Sequence, residues 1–260
     1  MTSLGFIGTG SLASFFVEGL ARAGAGEVIM VSPRNAEKAE SLRQRFGVTI
    51  AGNQHIADTC DLVVVSVLPR QAEAVLRPLR FRSGQTVLSV MSDIRLARVR
   101  ELVSPAYAAV SMMPGSSNAY NVGPSVLHPE NAAARALLER LGPVHAYDTE
   151  DTFLAASVMG AFSGMTTLLL GEVMDWFTRH GLDAQDSRRL VAGLLKGNAT
   201  ALLEMPLPLA EITRGVVTPG GTVFQGGLQS EIALGGKLEA EGTLSGGILT
   251  ATKVSFRENI

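Results

Sequence analysis

Residues 5–13 read Gly-Phe-Ile-Gly-Thr-Gly-Ser-Leu-Ala, and Gly8, Gly10 and Ala13 carry the G-x-G-x-x-A spacing of a dinucleotide cradle. Gly8 permits a tight turn, Gly10 lets backbone amides approach a pyrophosphate, and Ala13 keeps the following helix close to the preceding strand. The pyrophosphate sits on the helix N-terminus, where unpaired amides and the macrodipole favour anions. The spacing alone fits many loops; here a short apolar strand precedes it and a helical pattern follows. At the end of the next strand, Val31-Ser32-Pro33-Arg34-Asn35 offers a hydroxyl and a guanidinium where an acidic residue would bind a ribose 2'-hydroxyl. This favours a 2'-phosphate, hence NADP over NAD, because arginine suits bidentate phosphate recognition. The alternative is a plain turn and helix cap with Arg34 in solvent.

Other groups point to less. His55, His128, His145 and His180 have no second ligand at helical spacing, so no metal site is expected. Ser163 lies in Gly-Ala-Phe-Ser-Gly but follows no strand, which argues against a nucleophile. Tyr120 and Tyr147 could donate a proton, although tyrosines in such loops usually pack. Asp93 is either the N-terminal cap of a helix at Leu96 or, beside a reacting centre, a carboxylate favouring a cation.

The elements that position these residues alternate through the first half. Strands are expected at Leu4 to Gly8, Val28 to Ser32, Leu62 to Val67, Thr86 to Val90 and Ala108 to Met112. Helices are expected at Ser11 to Arg22, Ala36 to Phe46, Arg70 to Leu79 and Leu96 to Leu102. Leu62 to Val67 is almost continuously apolar, as a strand covered on both faces should be. A smaller unit follows, with strands at Ser125 to Leu127 and Val144 to Tyr147 around a helix at Glu130 to Leu141. From about 151 the pattern turns helical, with segments at 152–180 and 185–204, a Gly-Pro turn at 218–221, and helices near Thr222 to Leu234 and Leu238 to Val254. The fold class is therefore α/β: a Rossmann-type, doubly wound, mostly parallel sheet over 1–150, then an all-α domain over 151–260.

Composition bounds the partners. The 260 residues hold 22 basic and 24 acidic side chains, a formal charge of -2, which provides no basic field for nucleic acid or an anionic membrane. One cysteine, Cys60, cannot form an internal disulfide, and the chain opens on a strand pattern instead of a signal segment, so a reducing cytoplasm is expected. Thr152 to Gly171 is uncharged and long enough to span a bilayer. Its many small residues, the nearby Glu172 and Asp175 and the lack of a basic flank favour a helix packed inside a protein or subunit interface.

The chain resembles the pyrroline-5-carboxylate reductase family over nearly its whole length. The resemblance rests on the opening Gly-Phe-Ile-Gly-Thr-Gly, on Ser32-Pro33-Arg34, on Asp61 to Pro69 followed by a helix, on Met113-Pro114, and on Thr218-Pro219-Gly220-Gly221-Thr222. It implies NADPH-dependent reduction of the C=N bond of a small cyclic imine, proline-forming in the family, and a C-terminal dimerisation domain whose helices interlock between subunits in a dimer or higher homo-oligomer. It also implies that Gly8, Thr9, Gly10, Ser11 and Leu12 hold the pyrophosphate, Ser32 and Arg34 the adenosine phosphate, and Asn53 the adenosine ribose. Val67, Leu68 and Pro69, with Ser66, line the path to the nicotinamide.

On the substrate side the chain departs from the family. Leu68 stands where a lysine is usual, Met91-Ser92-Asp93 replaces small residues and a glycine, Ser111 replaces an arginine, and Val223 replaces a threonine. The stretch Gly160 to Thr166 replaces a Ser/Gly-rich run that opens the first substrate-domain helix in the family. Thr218 and Thr222 remain as catalytic-site donors that orient the substrate at a helix start, with simple helix capping as the alternative. Two other functions compete: reduction of a different imine or a carbonyl lacking the carboxylate, and a non-catalytic NADP-binding sensor.

Overall fold

The first strand, Leu4–Ile7 (β1), is buried along its whole length and lies at the centre of a sheet, which its unbroken apolar sequence requires. In this computed structural model the described residues are 3–24, 26–113, 115–216, 231–232, 236–245 and 248–258. Around β1 run Ser11–Arg22 (α1), Ile29–Val31 (β2), Ala36–Phe46 (α2), Thr49–Ile50 (β3), Asn53–Thr59 (α3), Leu62–Val65 (β4), Ala72–Leu76 (α4) and Thr86–Ser89 (β5). Then come Leu96–Val103 (α5), Tyr107–Met112 (β6), Ser125–His128 (β7), Ala132–Glu139 (α6) and Val144–Ala146 (β8). The sheet order is β3-β2-β1-β4-β5-β6-β7-β8, parallel throughout except that β7 runs antiparallel to β6. Strand order reverses between β1 and β4, so the crevice outside their carboxyl ends is the topological switch point where such sheets bind ligands.

Two apolar layers sandwich the sheet. Phe6, Phe16, Val17, Leu20, Leu127 and Leu138 belong to one, and Ile7, Ile56, Val63, Val65, Val99 and Phe153 to the other. Alternate residues of β1 thus serve opposite faces, as a period of two dictates.

The chain divides into two compact units, 1–160 and 161–260. Glu150–Ser157 (α7) packs on β7 within the first. It starts at Thr149, whose hydroxyl accepts from Thr152 N. The second holds Met159–Arg179 (α8, which begins at the junction), Ala184–Glu204 (α9) and Leu209–Val216 (α10). One helical stretch, 150–179, is long and apolar enough to cross a membrane; only 6% of its most apolar window is covered by the rest of the chain.

The helix expected at Leu238 to Val254 is not formed. Glu231–Ile232 (β9), Gly236–Ser245 (β10) and Ile248–Glu258 (β11) instead make an antiparallel three-stranded sheet. Gly236 and Gly242 lower helix propensity, and 252–257 (Thr-Lys-Val-Ser-Phe-Arg) alternates β-branched or aromatic residues with polar ones, which suits strands. The expected helix Thr222 to Leu234 falls almost wholly outside the described residues, apart from the two that form β9.

Behind the sheet, buried Cys60 presses on β1. A Cβ placed on Gly5 would lie 2.8 Å from its Sγ and 2.3 Å from Ile56 Cγ2. Burial, seconded by the Asp61 charge, raises the Cys60 thiol from 9.0 to about 11. The neutral thiol therefore contributes stability below pH 9 that is lost as pH rises towards 11. A thiol-labelling reagent at pH 8 is expected to leave the native protein unmodified and to label one equivalent in denaturant; labelling at equal rates in both would contradict the burial.

Candidate functional site

The β1–α1 turn is clamped between two strand ends. Ser32, just past β2, accepts from Gly8 N through Oγ at 2.9 Å, and its carbonyl accepts from Thr9 Oγ1 at 2.6 Å. The two hydroxyls also meet at 3.1 Å. From the other side, Ser66, just past β4, donates through Oγ to Gly8 O at 2.5 Å, and its N–H donates to Ile7 O. Gly8 has φ +104, and a Cβ there would fall 2.7 Å from the Ser66 carbonyl atoms. Backbone conformation and space both demand glycine.

Gly10 is glycine for a different reason. It adopts φ -101, which any residue tolerates, and a Cβ on it would meet nothing within 4 Å. It caps α1 with no side chain, and no acidic residue lies in that helix's first turn. By contrast α2, α6, α7 and α9 are capped by the side chains of Asn35, Asn131, Thr149 and Asp183. The start of α1 thus presents bare amides to open space that a side chain would obstruct, which fits a close-lying phosphate.

That space belongs to an open cleft of about 640 Å³ lined by Gly8 to Gly10, Arg34 to Glu37, Ser66 to Leu68 and Gln71. Its volume is in the range of small-molecule sites. Two cations flank it. Arg34 donates to Gln71 Oε1 at 2.6 Å, from the loop after β2 to the short 3-10 turn Pro69–Gln71 after β4. Lys38 Nζ donates to Ser11 Oγ at 2.7 Å, joining the first turn of α2 to the start of α1. Both meet neutral partners, whereas Arg43, Arg77, Arg98 and Arg135 are paired with carboxylates. One carboxylate, Glu37, also lines the cleft.

Of the residues singled out from the sequence, Gly8, Thr9, Gly10, Arg34, Val67 and Leu68 line this cleft. Ser11 and Leu12 open α1, Ser32 is buried beneath the turn, and Pro69 starts the 3-10 turn beside Leu68. Asn53 opens α3 and is not among the lining residues. Thr218 and Thr222 lie outside the described residues. Lys38 and Gln71 were not legible as site residues, because only the tertiary fold brings them to Ser11 and Arg34.

Among the described residues no group of three or more His, Cys, Asp or Glu could hold a metal. His128 instead bonds Tyr147 O at 2.8 Å. Tyr120 stacks under the Arg22 guanidinium at 4.7 Å and is exposed.

Sheet order, glycine turn and cleft together define a dinucleotide-binding chain of the Rossmann class. Residues 3–93 match the family model described as NADP oxidoreductase, coenzyme F420-dependent, and residues 150–233 match the pyrroline-5-carboxylate reductase dimerisation model. Pyrroline-5-carboxylate reductase 1 of Bacillus spizizenii is 26% identical, the match covering 85% of this chain and 79% of that one. The Treponema pallidum pyrroline-5-carboxylate reductase is 24% identical over 88% of this chain and 92% of its own. The Plasmodium falciparum pyrroline carboxylate reductase with NADP bound superposes with a TM-score of 0.73 at 20% identity, over 85% of this chain and 86% of that one. Over most of its length the chain is thus similar to pyrroline-5-carboxylate reductases, at low sequence identity.

Alanine at the two glycines should separate their roles. Gly8→Ala is expected to destabilise the fold by roughly 2 kcal/mol or more, read as a lowered unfolding midpoint. Gly10→Ala should keep the wild-type midpoint while weakening NADPH binding in a titration; equal loss of stability in both would refute the distinction.

Proposed function

We propose that this protein is an NADPH-dependent oxidoreductase that reduces the C=N bond of a small cyclic imine, acting as a homo-oligomer. The observation that carries the reading is the uncapped start of α1 facing a cleft flanked by Arg34 and Lys38, in a chain whose relatives are pyrroline-5-carboxylate reductases.

The first-turn amides of α1, exposed by Gly10, bind the pyrophosphate, and Leu12 anchors that turn on the core. Thr9 and Ser32 act by holding the turn rigid, since their hydroxyls are engaged with each other and with its backbone. Arg34 and Lys38 bind the 2'-phosphate: with neutral partners, neither charge is already neutralised by a carboxylate. Ser11 positions Lys38, Gln71 positions Arg34, and Asn53 is assigned to the ribose from the family resemblance. Ser66, Val67, Leu68 and Pro69 carry the path on toward the ends of β4 and β5, where the reacting carbon lies. When bound, the dinucleotide supplies the hydride. Thr218 and Thr222 are assigned to substrate orientation on sequence grounds alone.

Phe162, Leu168, Leu190, Leu194 and Leu203 are large apolar side chains left exposed on α8 and α9. A matching second copy covers them, consistent with the dimerisation model matched from residue 150, where we place the start of the second functional segment.

Oxidation of NADPH with pyrroline-5-carboxylate, followed by loss of its absorbance, tests the activity. Cofactor binding without turnover of any cyclic imine would reject it. Arg34→Ala is expected to raise KM for NADPH on the order of tenfold or more while leaving KM for NADH nearly unchanged; equal effects on both would remove Arg34 from the 2'-phosphate.

A further inference from the structure

Beside the cleft, the exit of β5 differs in character from the cationic side at α2. Parallel pairing sets Val65 beside Ser89, and Val90 N donates to Val65 O, so the chain leaving β5 runs next to Ser66, Val67 and Leu68. Beyond buried Met91, that exit carries Asp93, exposed and in the left-handed region at φ +55. Such a conformation favours glycine, and asparagine and aspartate tolerate it better than most residues. Beneath, Met91 is part of the core layer against which Val67, Ile94, Met112 and Met159 pack. Met112 fits because residue 160 is glycine: a Cβ there would lie 3.1 Å from its Sδ. Leu68 lines the cleft and is half exposed, and Ser111, at the end of β6, is buried with its hydroxyl unpartnered.

Within the exits of β4, β5 and β6 (66–68, 90–93 and 111–113), Asp93 is the one ionisable side chain. The nearby basic groups do not balance it. Arg95, two residues on, faces Glu150 at 3.6 Å.

We propose that Asp93 sets substrate charge, so that this site takes iminium cations with an apolar body and no carboxylate in preference to pyrroline-5-carboxylate. The assignment rests on the reductase reading above. An iminium carbon receives the hydride, the former C=N π pair stays on nitrogen as a lone pair, and the neutral amine takes a proton from water. The Asp93 carboxylate attracts the cationic reactant and repels a carboxylate on the same ring. A carboxylate would also need donors in place of its hydration, which Leu68 does not supply.

The test compares 1-pyrroline with pyrroline-5-carboxylate at low ionic strength, where exposed charges are least screened. The wild-type enzyme is expected to show the higher kcat/KM for 1-pyrroline. Asp93→Asn keeps the size and the tolerance of positive φ, and should move the ratio toward the carboxylated imine on the order of tenfold. Independently of turnover, pyrrolidine should raise the melting temperature of the wild-type protein with NADP+ more than proline does, and this needs no variant. A wild-type preference for pyrroline-5-carboxylate, or an unchanged ratio in Asp93→Asn, overturns the assignment and leaves the reductase reading standing. Turnover of neither imine overturns both.

Discussion

The structure of the first unit depends on how the Gly8 turn is held. One residue is bonded from two directions: its N–H donates to Ser32 Oγ and its carbonyl accepts from Ser66 Oγ, so the ends of β2, β1 and β4 are tied at a single point. Strand order reverses between β1 and β4 at the same point, which opens the crevice. Buried hydroxyls satisfied within the turn hold it stiffly, because a lost partner would leave a desolvated polar atom. The start of α1 is thereby fixed before any ligand arrives, and a preformed site avoids an ordering cost on binding.

From that point the site has two characters. Toward α2 the cleft is polar and cationic, with Arg34 and Lys38 held by neutral groups. Beside it, the exit of β5 carries buried Met91 and exposed Asp93. In the reductase reading, the cofactor end keeps the family's logic and the substrate end departs from it at Leu68, Asp93 and Ser111. The uncovered apolar side chains of α8 and α9 are those the proposed homo-oligomer would cover.

Much of this was legible in the residues. Helices at Ser11 to Arg22 and Ala36 to Phe46 follow from periodicity with clear stops, and α2 ends at Gly47 in the left-handed region. The two-residue β3 and the seven-residue α3 escaped because neither is long enough to display a period. A helix expected across Arg70 to Leu79 is a 3-10 turn followed by α4, which ends at Leu76 because Arg77 precedes Pro78. The strands β10 and β11 were mistaken for a helix in a glycine-rich stretch where local propensity supports neither state firmly. In the site, the glycines announced themselves by spacing. Lys38 and Gln71 carry no spacing signal at all, since each matters through a partner 27 or 37 residues away.

The hydrogen bonds that shape the Gly8 turn run to Ser32 and Ser66 and to nothing in 34–38. In the proposed reading, the segment that selects the cofactor meets the start of α1 through the Lys38–Ser11 side-chain bond and leaves the Gly8 turn untouched. On that reading the first turn of α2 is an exchangeable module: provided Asn35 keeps its cap on Lys38 N, substitutions there would alter the Ser11 contact without reaching the bonds that hold Gly8. A lineage built on this frame can change which dinucleotide it uses in a few substitutions while every strand keeps its register.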